Sequence, residues 1–205
     1  SSLATGQYEM TIFGSLNEVQ KIYKVKICIA DKLLKTADDL LCLAKGAKDG
    51  KHISGYYALA NDISGVTSSW TTQLDDTNGF TGIFNGCGHT LTISSLVGYG
   101  LFVQTSNGSE ILNTHFVVSS VSDAWNRHLL GHAMNGTKIE NCTFDFTITG
   151  HGTTRDGSAG LLFGSIGGSP ITIKDCSFNV SLASGVEGDA MLICGWTNNT
   201  NYQIG

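Results

Sequence analysis

The stretch LLFGSIGGSPITIKDCSF (Leu161 to Phe178) decides the fold, because its pattern occurs twice more in the chain. Each copy opens on a leucine beside a small or apolar residue, passes through a glycine-rich turn and ends in a short strand that closes on phenylalanine. The other copies are GLFVQTSNGSEILNTHF (residues 100–116) and LLGHAMNGTKIENCTF (residues 129–144). The closing phenylalanines lie 28 and 34 residues apart, a spacing typical of stacked repeats that bury their apolar faces against one another.

The chain between the repeats indicates an all-β protein. From His52 onward, short apolar runs alternate with Gly, Asn, Asp and Ser, and no helix-length segment separates them, which excludes a βαβ fold. A β-sandwich and a parallel β-helix remain. The repeated phenylalanines, each preceded by Asn or Asp three residues earlier, favour the β-helix, because coils stacked about 4.8 Å apart place like residues on like. The pattern therefore predicts a solenoid.

Composition narrows the classes of function. With 41% hydrophobic residues in 205, the chain is large enough to bury a core, and 26 Gly with only one Pro suits a fold rich in turns. A net charge of −5 argues against a nucleic-acid partner. No run of 18 apolar residues is present, so we predict no membrane insertion within this fragment. The chain stops inside what reads as a further repeat, and we expect a piece of a longer polypeptide.

A β-hairpin is predicted at the start of the chain. Tyr8 to Phe13 (YEMTIF) and Ile22 to Ile29 (IYKVKICI) have strand composition, and their alternation indicates a half-buried pair. Two strands alone are marginally stable in water, so the hairpin is expected to pack on the rest of the chain or on a preceding domain.

One helix is predicted, from Thr36 to Lys45 (TADDLLCLAK), with Thr36 as the N-cap. We expect it to cover the open end of the solenoid core. Its apolar stripe comprises Leu33, Ala37, Leu40, Leu41 and Ala44.

The six cysteines lack the spacing of a zinc site. Cys142 and Cys176 occupy the same repeat position, two residues before a closing phenylalanine. The favoured interpretation is a ladder of buried free thiols, and the alternative is a disulfide between adjacent rungs. The full set is Cys28, Cys42, Cys87, Cys142, Cys176 and Cys194.

The order of KTADDLLCLAKG, SGYYALANDI, Trp70, FTGIFNGCGHTLTISSL and the GLF and GLLFG units resembles bacterial surface proteins that carry a right-handed parallel β-helix of the GLUG-motif kind. The resemblance covers about residues 33–195. Upstream, YKVKICIADKLLKTADDL resembles the last strands of a bacterial immunoglobulin-like domain. The implied regions are the end of an immunoglobulin-like domain (1–32), a capping helix and linker (33–50) and a right-handed parallel β-helix that is incomplete at its C-terminus (51–205).

The matching positions fall in the cap, the first rung and a glycine-rich turn: Thr36, Ala37 and Leu40; Gly55, Tyr56, Tyr57, Asp62 and Ile63; and Phe80, Gly82, Phe84, Gly86, Gly88 and His89. The chain departs from the family at Cys87, where a polar residue is usual, and in LLGHAMNG, where GLFG is expected. We expect the first departure to be neutral. The second leaves the register around His132 open.

Two polar loops are candidate ligand-binding sites. In the first, Ser122 to His128 (SDAWNRH), Trp125 stands beside Asp123, Arg127 and His128. An exposed tryptophan can stack on the face of a sugar, although it can also close over the coil as an apolar lid.

The second loop, Gly150 to Gly160 (GHGTTRDGSAG), lengthens the second repeat interval and gathers His151, Arg155 and Asp156. Loops on a rigid solenoid are where binding residues usually lie, although a polar insert of this kind is more often only a solvated excursion.

Catalysis is also conceivable on this architecture, because parallel β-helices include polysaccharide lyases and hydrolases. Glycoside hydrolysis needs two carboxylates about 5 to 10 Å apart, whereas the acids of the repeats are spread singly along the sequence. Glu140 and Lys174 are expected to form a solvated ion pair across two rungs. His89 is predicted to be a hydrogen-bonded structural histidine. We predict no catalytic residue, no metal site and no cofactor.

Five Asn-x-Ser/Thr triplets are read as turn and ladder asparagines of a bacterial or phage protein, and Asn141 is predicted to point inward. The leading interpretation is a noncatalytic structural or adhesive module, extracellular on a bacterial surface or a phage virion. Its loops would meet glycans, host surface proteins or neighbouring virion subunits. The alternatives are a carbohydrate-active enzyme of the β-helix type and a phage fibre or capsid-associated protein. Two clustered acids with a base on one sheet face would favour the enzyme.

Overall fold

The fold is given by a computed structural model. It describes residues 3–17, 19–40, 54–68, 79–96, 100–102, 104–106, 108–121, 128–134, 136–150, 160–168, 170–184, 193–197 and 203–204. Nearly all regular structure in these ranges is β-strand, which confirms the all-β class.

An N-terminal hairpin is formed by β1 (Gly6–Leu16) and β2 (Val19–Ile29), which pair antiparallel along their whole length. The turn between them places Asn17 at φ 49°, a left-handed conformation that asparagine tolerates well. The predicted hairpin is therefore confirmed. It is not half-buried as expected, because apolar side chains such as Phe13 and Leu16 remain 76% and 77% exposed.

Sixteen further strands follow the hairpin in the described residues. They are β3 (Lys32–Leu34), β4 (Tyr56–Leu59), β5 (Ile63–Ser68), β6 (Ile83–Asn85), β7 (Thr90–Leu96), β8 (Gln104–Thr105), β9 (Glu110–Leu112), β10 (His115–Val121), β11 (His132–Met134), β12 (Lys138–Glu140), β13 (Thr143–Ile148), β14 (Phe163–Gly167), β15 (Thr172–Lys174), β16 (Ser177–Leu182), β17 (Cys194–Thr197) and β18 (Gln203–Ile204).

These strands form three parallel sheets. Sheet 1 has the order β3-β4-β6-β9-β12-β15-β18, sheet 2 the order β8-β11-β14-β17, and sheet 3 the order β5-β7-β10-β13-β16. From β6 onward the chain visits sheets 1, 3 and 2 in strict rotation, and from β9 onward each strand pairs with the strand three elements before it. Parallel pairing without intervening helices requires such a rotation, because consecutive strands cannot be neighbours in one sheet.

The repeated phenylalanines form one column inside sheet 3. Phe116 pairs in register with Phe144, and Phe144 with Phe178. The ring centroids lie 5.2 Å and 4.9 Å apart with nearly parallel planes. Phe116 and Phe144 are completely buried, so this column is a central part of the apolar core. The predicted contact between successive repeats is confirmed.

The last three passages from sheet 1 to sheet 3 each contain a left-handed Asn or Asp. Asn113, Asn141 and Asp175 have φ angles of 48°, 54° and 52°, and each stands between a strand of sheet 1 and the next strand of sheet 3. Asn and Asp adopt this conformation more readily than other non-glycine residues, which explains their recurrence at this position. Asn141 is exposed, so the expectation that its side chain points inward is wrong.

The predicted helix begins as expected. Residues 37–40 are helical, and Thr36 caps them: the Asp39 amide donates to Thr36 Oγ1 at 3.3 Å, while Asp39 Oδ2 accepts from the Thr36 amide at 3.0 Å. This reciprocal pair satisfies two amides that the helix start leaves without partners. Leu40 is buried in the core, whereas residues 41–50 lie outside the described ranges.

Leu33 does not belong to the helix stripe. It lies in β3, where it is 45% exposed, and β3 pairs in parallel with β4. The parallel sheets therefore begin at Lys32, before the predicted cap.

A disulfide joins Cys28 in β2 to Cys87 in the turn after β6, with Cα atoms 6.6 Å apart and 59 residues of separation. The sequence did not predict this bridge, and because of it Cys87 is not a neutral departure from the family pattern. No disulfide joins the adjacent rungs at Cys142 and Cys176, because both thiols are free. Cys194 is free as well. Cys42 lies outside the described residues.

The register around LLGHAMNG is continuous with both neighbouring repeats. The Leu101 amide donates to the Leu129 carbonyl at 2.6 Å, and the Leu129 amide donates to the Leu161 carbonyl at 2.8 Å. His132 pairs with Gln104 in sheet 2, so the departure from GLFG leaves the stacking unchanged. A Cβ added at Gly100 would overlap the carbonyl oxygens of the next repeat, which explains the small residue at that opening.

Candidate functional site

Most of the predicted binding residues cannot be placed. Asp123, Trp125 and Arg127 of the first loop, and His151, Arg155 and Asp156 of the second, lie outside the described residues. Their proposed role in ligand binding stays a prediction.

His128 is the predicted site residue that the structure describes, and it is completely buried. Its ring centroid lies 5.1 Å from that of His132, inside sheet 2. Burial lowers the pKa of His128 from 6.5 to about 3, with a smaller contribution from His132. A neutral ring enclosed by the core cannot contact an external ligand, so His128 acts in packing instead.

A polar groove of about 340 Å³ lies where the hairpin meets the turns between sheets 1 and 3. The hairpin contributes the side chains at one wall, and the left-handed turns contribute the other. The polar residues that line it are Gln7, Lys26, Asn113, Thr114, His115, Asn141 and Thr143.

A ladder of hydrogen-bonded asparagines lies in the wall that the left-handed turns contribute. Asn141 donates from Nδ2 to Asn113 Oδ1 at 3.4 Å, and Asn113 Nδ2 donates to Asn85 Oδ1 at 3.2 Å. Asn85 is buried and donates to the Tyr56 hydroxyl at 2.5 Å. These hydrogen bonds fix the orientation of the amides. Of the five asparagines predicted to lie in turns or ladders, Asn141 belongs to this ladder, Asn179 lies in β16, and the other three lie outside the described residues.

Gln7 joins the hairpin to this ladder. Its Oε1 accepts from Asn113 Nδ2 at 3.0 Å and from Asn85 Nδ2 at 3.2 Å. The neighbouring Cys28–Cys87 disulfide holds the same end of the hairpin against the turn. The groove is therefore built by two parts of the chain that are about 80 to 110 residues apart in sequence.

Two histidine–carboxylate pairs lie beside the groove, where the chain enters sheet 3. His115 Nε2 is 2.7 Å from Asp145 Oδ2, and His89 Nδ1 is 3.3 Å from Asp62 Oδ1. The side chains of His115 and Asp145 are 38% and 37% exposed, so both can reach solvent. His89 is hydrogen-bonded, in agreement with its predicted structural role.

Both carboxylates have a lowered pKa. The amide of Asn179, donating to Asp145 Oδ1 at 2.7 Å, is the main cause at Asp145, and His115 adds to it. At Asp62 the main cause is the backbone amide of Thr90. Each acid is thus held ionised and points at an imidazole.

The charged residues of sheet 1 form a separate chain of ion pairs. Lys138 Nζ lies 2.7 Å from Glu140 Oε2 and 3.6 Å from Glu110 Oε2, and Lys174 Nζ lies 3.4 Å from Glu140 Oε1. The predicted pair of Glu140 and Lys174 is confirmed. The network is wider than the sequence suggested, and its partial exposure limits each pair to about 0 to 1 kcal/mol.

Within the described ranges, no group of three or more His, Cys, Asp or Glu side chains is arranged to hold a metal ion. No helix in those ranges is long and apolar enough to cross a bilayer. No protein-family model, curated protein or solved structure matches this chain.

The sequence did not predict the groove. Lys26 and His115 lie about 90 residues apart, and only the docking of the hairpin brings them together. The one available signal was the spacing of the ladder, since Asn85, Asn113 and Asn141 recur every 28 residues.

Proposed function

We propose that the chain is a right-handed parallel β-helix that serves as a noncatalytic structural and adhesive module, displayed on a bacterial surface or a phage virion. The rotation of strands through three parallel sheets, with phenylalanine stacked on phenylalanine, is the observation that carries this proposal. Right-handedness follows from the strong preference of parallel crossover connections for that hand.

The mechanism of such a module is rigid presentation. Each rung adds about 4.8 Å to the stack, and every rung is fixed to the next by backbone hydrogen bonds and a buried core. Side chains on its turns therefore hold fixed distances from one another. A partner is recognised by that spacing without paying the entropy of ordering a loop.

The groove supports a glycan or another hydroxyl-rich partner as the ligand. Amide groups, a lysine, a threonine and a histidine supply both donors and acceptors, which suits hydroxyl groups. The fixed amides of the ladder set the direction of these bonds. The two loops around Trp125 and His151 are proposed as further contacts.

A glycan array tests this function. The wild-type protein is compared with Lys26→Ala and His115→Gln for the groove, with Trp125→Ala for the first loop, and with Lys21→Ala as the control in the same hairpin. We expect the groove variants to lose at least tenfold in affinity, the equivalent of about 1.4 kcal/mol, while the control binds as wild type does. Failure of the wild type to bind any glycan would refute glycan recognition.

The pairing of histidines with acids favours a second candidate, a carbohydrate-active enzyme of the β-helix type. Asp145 lies in β13 and Asp62 just before β5, each acid pairs with a histidine, and His115 contributes to the lowered pKa of both acids. Incubation with a panel of polysaccharides separates the two functions. Product release by the wild type that is lost in Asp145→Asn would replace the adhesive proposal with the enzyme.

A further inference from the structure

Two free thiols, Cys142 and Cys176, lie at the same position of successive repeats. Each follows a left-handed residue, and each sulfur turns back onto the carbonyl two residues earlier: Cys142 Sγ is 3.4 Å from the Glu140 oxygen, and Cys176 Sγ is 3.2 Å from the Lys174 oxygen. The two side chains thus adopt the same orientation, one strand apart.

The backbone on both sides of the pair is hydrogen-bonded. The Ser177 amide donates to the Cys142 carbonyl at 3.0 Å, and the Asn141 amide donates to the Lys174 carbonyl at 3.1 Å. Neighbouring strands in such an arrangement are about 4.8 Å apart, inside the range of about 4.4 to 6.8 Å that disulfides require between Cα atoms. Thr143 and Ser177, the residues that follow the two cysteines, are paired in register, so Cys142 and Cys176 stand opposite one another.

We propose that Cys142 and Cys176 form a thiol–disulfide exchange site for low-molecular-weight disulfides, and that the reaction ends in a covalent bond between two successive repeats. Cys142 stands between two residues that line the groove, but the proposal does not rest on the function proposed for the groove.

Differences in burial and hydrogen bonding assign different roles to Cys176 and Cys142. Cys176 is partly buried and therefore reachable, whereas Cys142 is buried. The hydrogen bond from Cys142 holds the pKa of Cys176 at about 7, below its usual 9.0, against the opposing effects of burial and of Asp175. The same hydrogen bond, together with burial, raises the pKa of Cys142. Cys176 is the attacking thiolate and Cys142 the resolving thiol.

The reaction balances in two exchanges. The Cys176 thiolate attacks one sulfur of the small disulfide, a mixed disulfide forms, and the other half leaves as a thiolate. Cys142 then loses its proton to that thiolate and attacks the Cys176 sulfur, which releases the second half and leaves the Cys142–Cys176 bond. The two electrons removed from the protein reduce the small disulfide to two thiols.

Two further features of the chain bear on this thiol–disulfide exchange. The Cys28–Cys87 disulfide is typical of proteins that meet an oxidising compartment, where small disulfides are present as oxidants. Thr114 stands at the equivalent position of the preceding repeat, and its hydroxyl donates to the Leu112 carbonyl at 2.7 Å. A hydroxyl side chain therefore fits this position, which makes serine variants of either cysteine suitable probes.

The test exposes the folded wild-type protein to oxidised glutathione, blocks the remaining thiols with N-ethylmaleimide and maps the peptides by mass spectrometry. Cleavage after Arg155, Lys174 and Glu187 places Cys142, Cys176 and Cys194 in three separate peptides. We expect a linked pair of the Cys142 and Cys176 peptides. The same linked pair in the protein as isolated supports the proposal equally, and Cys194→Ser should leave its yield unchanged.

The variants test the two roles. Cys142→Ser should stop at the mixed disulfide, with one glutathionyl group on Cys176. Cys176→Ser should leave Cys142 modified about tenfold more slowly, because that thiol is buried and protonated. Absence of the linked pair from wild type, or equal modification rates in the two variants, would overturn the proposal.

Discussion

The ring of His128 occupies the space beside Gly164 of the next repeat. A Cβ added at Gly164 would lie 2.5 Å from both Cε1 and Nδ1 of that ring, closer than real contacts allow. Gly164→Ala is therefore expected to lower the free energy of unfolding by about 1 to 3 kcal/mol through overpacking. Denaturant titration of the two proteins measures the loss.

The double variant Gly164→Ala/His128→Ala provides the control, because removing the ring removes the clash. The double variant should lose less stability than the sum of the losses in the two single variants. Additive losses would show that the ring and the glycine do not interact.

His128 also makes stability depend on pH. The unfolded chain takes up a proton on this residue below about pH 6.5, whereas the folded protein does not do so until about pH 3. The stability that neutral His128 contributes is complete above pH 6.5 and is lost as the pH falls from 6.5 to 3. Between pH 7 and pH 5 we expect a loss of about 2 kcal/mol from this group.

Urea denaturation at pH 7 and pH 5 checks this value. His128→Asn, which carries no titrating group, should lose about 2 kcal/mol less than wild type over the interval. An unchanged pH dependence in His128→Asn would contradict the buried neutral ring.

Phe144 contacts phenylalanines on both sides of its column, whereas Phe178 is only partly buried. Phe144→Ala should lower the free energy of unfolding by about 3 to 5 kcal/mol, because it removes a buried ring and leaves a cavity between two repeats. Phe178→Ala should lower the free energy of unfolding clearly less. Equal losses, measured by denaturant titration, would mean that the two rings are buried alike.

The hairpin depends on its disulfide. The variant Cys28→Ser/Cys87→Ser opens a loop of 59 residues, for which chain entropy predicts a loss of about 4 kcal/mol. Hydrogen exchange should accelerate in β1 and β2 and change little in β10 and β13. Cys194→Ser is the matched control, and unchanged exchange in the hairpin would show that Gln7 and its hydrogen bonds suffice to hold it.

The repeating part of the fold was predictable because the same residue recurs at one position. Phe116, Phe144 and Phe178 identify the stacked strands, and the asparagines before them identify the turns. The direction of the Asn141 side chain was misjudged, because a left-handed residue reverses the alternation that strand periodicity assumes.

The contacts of the hairpin could not be predicted in the same way. Cys28 and Cys87 share no pattern, and the sequence contains no periodicity that relates Gln7 to Asn113. His128 was placed with the polar residues that precede it, although it stands at the small position of the repeat and its ring fits beside Gly164. The polar residues next to His128 in the sequence give no indication that its side chain is buried.

The sulfur bridge between Cys28 and Cys87 also determines where mechanical load enters the molecule. A pull on the chain ahead of Cys28 passes through the bridge directly to the turn at Cys87. The residues between the two cysteines, including β3, β4, β5 and β6, carry none of that tension. Under shear, the strands between the two cysteines are therefore protected, and the chain can extend only ahead of Cys28 or beyond Cys87.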